Sequence, residues 1–440
     1  MKSTHLFIRT VLLAGSSMVS GSCRTAQTPV LPAEEIGKTT QLLTATMIHD
    51  VTNPPLAARF FAYACITGYE IAAENDRGLP GLQGRLNDYP LITKPQSIKG
   101  YDTRLSCILG MLETAGHIQP SGYLILKQEE RFIDSCRRLG FNNAVIDSSL
   151  NYARIISKQI LKYAKADRYN RISNYPRYTP PTRPGSWLPT PPAYMSAIEP
   201  YFNTIRPFTL DSASQFLPPS PVPFSADKGS TFYQYAMLVY RQGGVQLTAG
   251  HREIANFWDC NPFAVENDGH MLIGLKKISP GAHWIGITRI ACKQANAGFS
   301  KTIQVNTAVA IGLMDGFICC WDDKYRTNRI RPETAIRKYI DPNWRPLLQT
   351  PPFPEYISGH SVISATSATI LTHFFGDHFA FVDNVEANYH IKPRNFPSFI
   401  YAAQEAGMSR FWGGIHFRDA IDKGLVQGTQ VGTRVIKKLQ

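Results

Sequence analysis

Thirteen prolines lie between Pro176 and Pro223, among them the pairs Pro180-Pro181, Pro191-Pro192 and Pro218-Pro219. Each fixes φ and removes a backbone donor, so no α-helix crosses this stretch. Trp187, Tyr194, Tyr201 and Phe202 stand among the prolines. A disordered tether is poor in aromatics, so the segment is expected to be an ordered, extended wrap lying on a folded surface.

On either side of this connector the apolar residues recur at helical spacing. From Leu42 to Ala166 they fall three and four apart; Ile155, Ile156, Ile160 and Leu161, with Tyr152 and Tyr163, line one side of a helix. Pro54-Pro55 ends one helix and precedes the almost wholly apolar run Leu56 to Ala73, which reads as a buried central helix. Beyond the connector, helical spacing returns at Ser230 to Arg241 and at Ile254 to Trp258. The long apolar stretch Thr302 to Cys320 contains Gln304, Asn306 and Asp315, which argue for a buried amphipathic helix over a membrane span. A further helix is expected to start just after Gly359-His360 and to end at Phe375, with Gly376 as a left-handed cap. The last, from about Ala420, carries Gly424, Gly428 and Gly432 at intervals of four beside Asp422, Lys423, Gln427, Gln430 and Arg434. That mixture points to close packing in a protein bundle, not in lipid. Runs of period two are almost absent. The fold class is therefore all-α, with an N-terminal helical region at 34–170, the ordered connector at 175–224 and a C-terminal helical region at 225–440. At 440 residues, two packed regions are expected over one.

Hydrophobic residues at 43% and charged residues at 18% exclude a disordered chain. The formal charge of +13 suits an anionic ligand. The cations are scattered and not interleaved with stacking aromatics, so no nucleic-acid partner is expected. At the amino terminus, Lys2 and Arg9 precede the uncharged stretch Thr10 to Ser22, which closes on small residues before Cys23. This reads as a secretory signal over residues 1–22, shorter than the roughly 20 apolar residues a membrane-spanning helix needs. The small-residue run before Cys23 resembles the bacterial lipoprotein cleavage box. The expectation is an exported bacterial protein, periplasmic or held at the envelope by a lipid on Cys23. The other cysteines (Cys65, Cys107, Cys136, Cys260, Cys292, Cys319 and Cys320) show neither CxxC nor Cys/His metal spacing, so they imply no zinc site and read as buried small hydrophobes.

Three segments in the last third carry chemistry. In the first, Lys324 and Arg331-Pro332 stand two helical turns apart, so the two cations would share a face if the helix continued between them. The second, Pro354-Glu355-Tyr356-Ile357-Ser358-Gly359-His360, puts a hydroxyl, a glycine and an imidazole at a helix start, where free N–H groups and the helix dipole favour an oxyanion. The third, Ser409-Arg410 to His416, adds another cation and a second imidazole across Gly413-Gly414. Lys324, Arg331 and Arg410 brought together out of water demand an anion, because like charges about 4 Å apart repel by about 4 kcal/mol at an effective dielectric of 20.

With these segments the sequence resembles the vanadium-dependent haloperoxidases and the type 2 phosphatidic acid phosphatases, which share one site. The shared pattern is Lys, six residues, Arg-Pro; then Pro-Ser-Gly-His; then Ser-Arg, five residues, His, three residues, Asp. This chain departs from it twice: Ile357 replaces the Pro, and Ala420 replaces the last Asp, which in the family helps orient the histidine. Asp419, Asp422, Asp322 and Asp323 are the candidates to substitute for it. The resemblance implies that Lys324, Arg331, Ser358, Gly359 and Arg410 hold the oxygens of vanadate, that His416 is its axial ligand and that His360 is the acid/base. It further implies hydrogen peroxide and halide as substrates, with Phe353 in the place where chloride-oxidising members carry Phe and bromide-oxidising ones His. The alternatives are an exported acid phosphatase that forms a phosphohistidine on His416 and needs no cofactor, and a non-catalytic anion-binding envelope protein.

Overall fold

The computed structural model describes residues 29–268 and 271–440; the expected signal segment at 1–22 and Cys23 lie outside the described residues. Five helices precede the connector: α1 (Glu34–His49), α2 (Pro54–Asn75), α3 (Thr103–Ile118), α4 (Gly122–Arg138) and α5 (Asn143–Lys165). Eight follow it: α6 (Thr231–Tyr240), α7 (Ala249–Phe257), α8 (Pro280–Gln294), α9 (Phe299–Thr327), α10 (Pro332–Tyr339), α11 (Gly359–Phe375), α12 (Phe399–Trp412) and α13 (Arg418–Leu439). Two short antiparallel hairpins accompany them, β1 (Val265–Asp268) with β2 (Met271–Gly274) and β3 (Phe381–Asp383) with β4 (Arg394–Phe396), besides a few short 3-10 and π turns. The class is all-α, as the spacing predicts.

Local chemistry accounts for the helix starts. Asn53 accepts from the Leu56 N–H at 2.9 Å, and Pro54-Pro55, which have no N–H to satisfy, occupy the first positions of α2. Ser358 caps α11 by accepting from Ser361 N–H at 3.3 Å. At the other end of α11, Gly376 has φ of +95° and ψ of 165°, so it takes positive φ as expected but leaves the helix extended, outside the left-handed helical region.

α2 and α9 pack against each other as the two central helices. One apolar core runs from Leu31 through Phe61, Ile66, Val309 and Ile318 to Val435, so the helices before and after the connector share it. Of the described helices only α9 is long and apolar enough to cross a membrane, and 94% of its most apolar window is buried in the protein. Several of its polar residues have protein partners. The Asp315 carboxylate accepts from Phe208 N–H (2.6 Å), Thr209 N–H (2.8 Å) and the Thr209 hydroxyl (2.6 Å), which pins the proline-rich connector to the central helix. Ile198 O accepts from Trp321 Nε1 and from the Tyr325 hydroxyl, and Trp187 N–H donates to Asn328 O. The connector is thus an ordered wrap held by side chains of α9 and by the turn that follows it.

The glycine stripe of α13 lies against α11 at backbone distance. A Cβ on Gly424 would sit 3.0 Å from Ser358 O, one on Gly432 2.8 Å from Thr366 O, and one on Gly428 would overlap Val362 O. Backbone cannot step aside as a side-chain tip can. Gly428→Val is therefore expected to destabilise the protein by about 1–3 kcal/mol or more in denaturant unfolding. Gly250→Ala, on an open face of α7 where an added Cβ meets nothing within 4 Å, serves as the neutral control.

Candidate functional site

The site is assembled from the end of α9, the cap of α10, the start of α11, the end of α12 and the turn before α13. α9 stops at Asn328, whose φ of +54° breaks the helix. The helical continuation from Lys324 to Arg331 does not occur. The chain instead runs extended through Arg329 and Ile330, and Arg331 becomes the residue that caps α10. The two cations nevertheless meet over one ring: Lys324 Nζ is 5.0 Å and Arg331 Cζ 5.1 Å from the centroid of Phe353.

Both are fully buried. Lys324 Nζ donates to the carbonyls of Pro354 (3.0 Å), Glu355 (3.2 Å) and Ile357 (2.6 Å). Arg331 donates from Nε to Phe353 O and from Nη1 to Ile415 O, each at 2.9 Å, while its Nη2 has no protein partner. At the end of α12, Arg410 Nη1 donates to the Trp258 carbonyl and lies 3.3 Å from His360 Nε2; Nη2 is 3.7 Å from the Asp259 carboxylate, and Nε is buried without a partner. Two guanidinium groups thus each present an unspent donor in a place closed to water.

Ser358 N–H donates to Ala420 O at 3.1 Å, so what Ser358 can offer a ligand is its hydroxyl. The N–H groups of Gly359 and His360 stand at the first two helical positions, which have no intrahelical acceptor. A Cβ on Gly359 would meet Trp321 and Cys320 at only 3.7 and 3.9 Å, so protein packing does not require the glycine; an occupant approaching the helix end would.

His416 follows the turn at Gly414, where φ of +77° and the close approach of Pro346 and Trp344 both demand glycine. The group that orients His416 is Glu355, to which the sequence reading gave no role. His416 Nδ1 is 2.9 Å from Glu355 Oε1, which also accepts from Phe417 N–H at 2.9 Å. Glu355 Oε2 is 3.2 Å from Arg329 Nη1, and Arg329 in turn bonds Asp419 at 2.8 Å. None of the four aspartates proposed from sequence reaches the imidazole. Asp419 acts through Arg329, Asp422 pairs with Arg418, Asp322 with Asn203 and Arg326, and Asp323 with Gln427 and Arg326. The only signal of Glu355 in the sequence is that it is the one carboxylate in the Ser-Gly-His segment.

With Nδ1–H donated to Glu355, the lone pair of His416 is on Nε2, which faces Arg331 Nη1 at 3.1 Å. Burial and then the Arg331, Lys324 and Arg410 charges hold the His416 pKa well below that of a free imidazole. His360 is held low as well, by burial and then by Arg410 and His416, with the Trp258 carbonyl pulling the other way. Burial pushes Glu355 up, against the pull of Arg329 and Arg331. Lys324 falls to about 8, with burial the largest cause. Two neutral imidazoles and a surplus of positive charge leave a pocket built for an oxyanion.

The value for Lys324 sets a pH dependence. An anion needs the ammonium, so binding is strongest below pH 8 and weakens as pH rises through 8, by up to about tenfold per unit until the pKa of the complex is reached. Calorimetric titration with molybdate, whose charge is constant over this range, is expected to show that decline. Lys324→Gln should bind more weakly and without the decline, and a flat profile for the unaltered protein would contradict the assignment.

A family model described as the VCPO second helical-bundle domain matches residues 304–440, the part that contains all three segments. Among solved structures, a bacterial vanadium-dependent iodoperoxidase is 39% identical, with a TM-score of 0.87, covering 94% of this chain and 98% of that one. A bacterial vanadium-dependent chloroperoxidase shares the fold at 13% identity in its apo form (TM-score 0.67, 88% of this chain and 95% of that one). Its holo form does so at 14% (TM-score 0.63, 89% and 93%). No curated protein sequence matches. A 39% likeness running nearly end to end in both chains, over a pocket with this donor set, makes the chain a member of the vanadium-dependent haloperoxidase superfamily.

Proposed function

We propose that the protein is a vanadate-dependent peroxidase that uses hydrogen peroxide to oxidise a halide, and that the halide is iodide. The observation that carries this reading is the end-to-end likeness to a chain named as an iodoperoxidase. The pocket supports it, because its unspent donors, Arg331 Nη2 and Arg410 Nε, suit a group rich in anionic oxygens.

What vanadate supplies when bound is a Lewis-acidic centre that activates peroxide toward a halide. The chain does the rest. His416 Nε2, its lone pair fixed by the Glu355 bond at Nδ1, is the atom that would bond vanadium. Lys324, Arg331, Arg410, the Ser358 hydroxyl and the Gly359 N–H would hold the oxygens and offset their charge without having to reorganise. Burial and then Arg410 hold the His360 pKa low, so Nε2, which faces Arg410 Nη1 at 3.3 Å, would exchange that contact for a proton taken from incoming peroxide and return it later. Phe353 gives the pocket an apolar wall against which Lys324, Arg331 and Trp321 are packed.

Purified protein is to be assayed in parallel with vanadate, peroxide and iodide or bromide, and with a phosphomonoester in the absence of vanadate. Vanadate-dependent oxidation of iodide without phosphate release is expected. Phosphate release without halide oxidation would overturn the reading in favour of a phosphatase, and failure to bind vanadate at all would overturn it in favour of the non-catalytic envelope protein. His416→Ala is expected to abolish turnover. Glu355→Gln, which keeps the shape but removes the charge behind His416, should weaken vanadate binding by about 10- to 100-fold with the fold intact by circular dichroism.

A further inference from the structure

Cys260, His283 and Glu386 are separated by 23 residues between the first two and 126 between first and last, and no spacing motif joins them. The fold brings them to one point. Cys260 lies in the loop after α7, His283 in the first turn of α8 and Glu386 beyond β3. Cys260 Sγ is 3.3 Å from His283 Nδ1 and 3.5 Å from Glu386 Oε1, and Nδ1 is 3.1 Å from Oε1. All three residues are buried.

Protons satisfy this triangle only with His283 charged. If the thiol and Nδ1 are both protonated, each donates to Oε1, and Nδ1–H faces only the weak sulfur acceptor across the third side. If the cysteine is a thiolate, a single Nδ1–H serves two anions standing 3.5 Å apart in apolar surroundings. A cation at the centre satisfies all three atoms together. Tetrahedral Zn²⁺, with bonds of about 2.0–2.3 Å, places thiolate, imidazole and carboxylate atoms about 3.3–3.6 Å from one another, within a few tenths of an ångström of the sides seen here.

The surroundings are those of a metal ligand set. His283 Nε2 is 2.8 Å from Asp383 Oδ2, so Nε2–H donates outward and Nδ1, which carries a proton until a metal displaces it, is the atom turned to the point of convergence. Asp383 is itself fixed by accepting from Val385 N–H at 3.1 Å. Trp258 stacks on the imidazole with centroids 4.8 Å apart, and Phe257 closes on it edgewise at 5.7 Å. We propose that Cys260, His283 and Glu386 form a Zn²⁺ site, oriented by Asp383 and separate from the oxyanion pocket. Thiolate, imidazole and a single carboxylate favour zinc over the oxygen-seeking Mg²⁺ and Ca²⁺. The charge is compatible: exchanging the thiol and Nδ1 protons for one divalent ion leaves the net charge of the four side chains unchanged. The ion would also tie down the loop from Trp258 to Cys260, whose Trp258 carbonyl and Asp259 carboxylate anchor Arg410.

Binding at so enclosed a place is coupled to folding, so the full chain is to be refolded with Zn²⁺, dialysed and analysed by mass spectrometry for metal content. About one zinc per chain is expected, whether or not vanadate is present, and none in Cys260→Ala. Because that variant can fail to fold, the unaltered chain is also refolded with Co²⁺, where a thiolate-to-cobalt charge-transfer band and the absorption of a tetrahedral ion are expected. Asp383→Asn keeps all three ligands and should lose about 10- to 100-fold in zinc affinity by chelator competition. A refolded chain without zinc, bound cobalt without the thiolate band, or an Asp383→Asn variant with undiminished affinity would each overturn the site.

Discussion

The chemistry of this protein rests on positive charge held away from water. Lys324, Arg331 and Arg410 are buried, and Lys324 and Arg331 share the face of a single phenylalanine. Ions do not gather in this way without something in return, because each loses hydration and each repels the others. Part of the return is visible in the carbonyls that Lys324 and the two arginines already bond. The remainder is left open at Arg331 Nη2 and Arg410 Nε, two buried donors that an oxyanion's oxygens could satisfy.

The same field controls the imidazoles. Burial first and the nearby cations second keep His360 and His416 from protonating, and both remain available as bases. Glu355 decides which nitrogen of His416 is available. A carboxylate there must itself be tolerated in a buried place, and Arg329 with Phe417 N–H makes it so. The chain thereby obtains, from the residue three before Ser358, the orienting contact that the side chain of Ala420 cannot make. Ala420 is not idle, since its carbonyl receives Ser358 N–H and ties α13 to the head of α11.

Most of the fold was legible because it depends on short-range rules. The apolar run after Pro54-Pro55, the helix opening at Ser358-Gly359 and the glycines four apart each declare themselves within one or two turns. The candidate site was legible where residues lie close in sequence to glycine or proline. What escaped were relations across distance. Glu355 and His416 are 61 residues apart, and Cys260 and His283 fall on different elements, so neither pair leaves a periodic trace. The route from Lys324 to Arg331 was misjudged for a local reason: Asn328, one of the few residue types at ease with positive φ, stops the helix before the second turn.

The contact between α11 and α13 also bears on how the molecule comes into being. During synthesis the residues of α9 and α11 emerge well before those of α13, so a nascent chain holds two of the cations and the capped helix but lacks Arg410, His416 and the backbone floor beneath Ser358. Such a fragment has the cost of the buried charge and none of the closure. The pocket is therefore complete only when the last helix has docked.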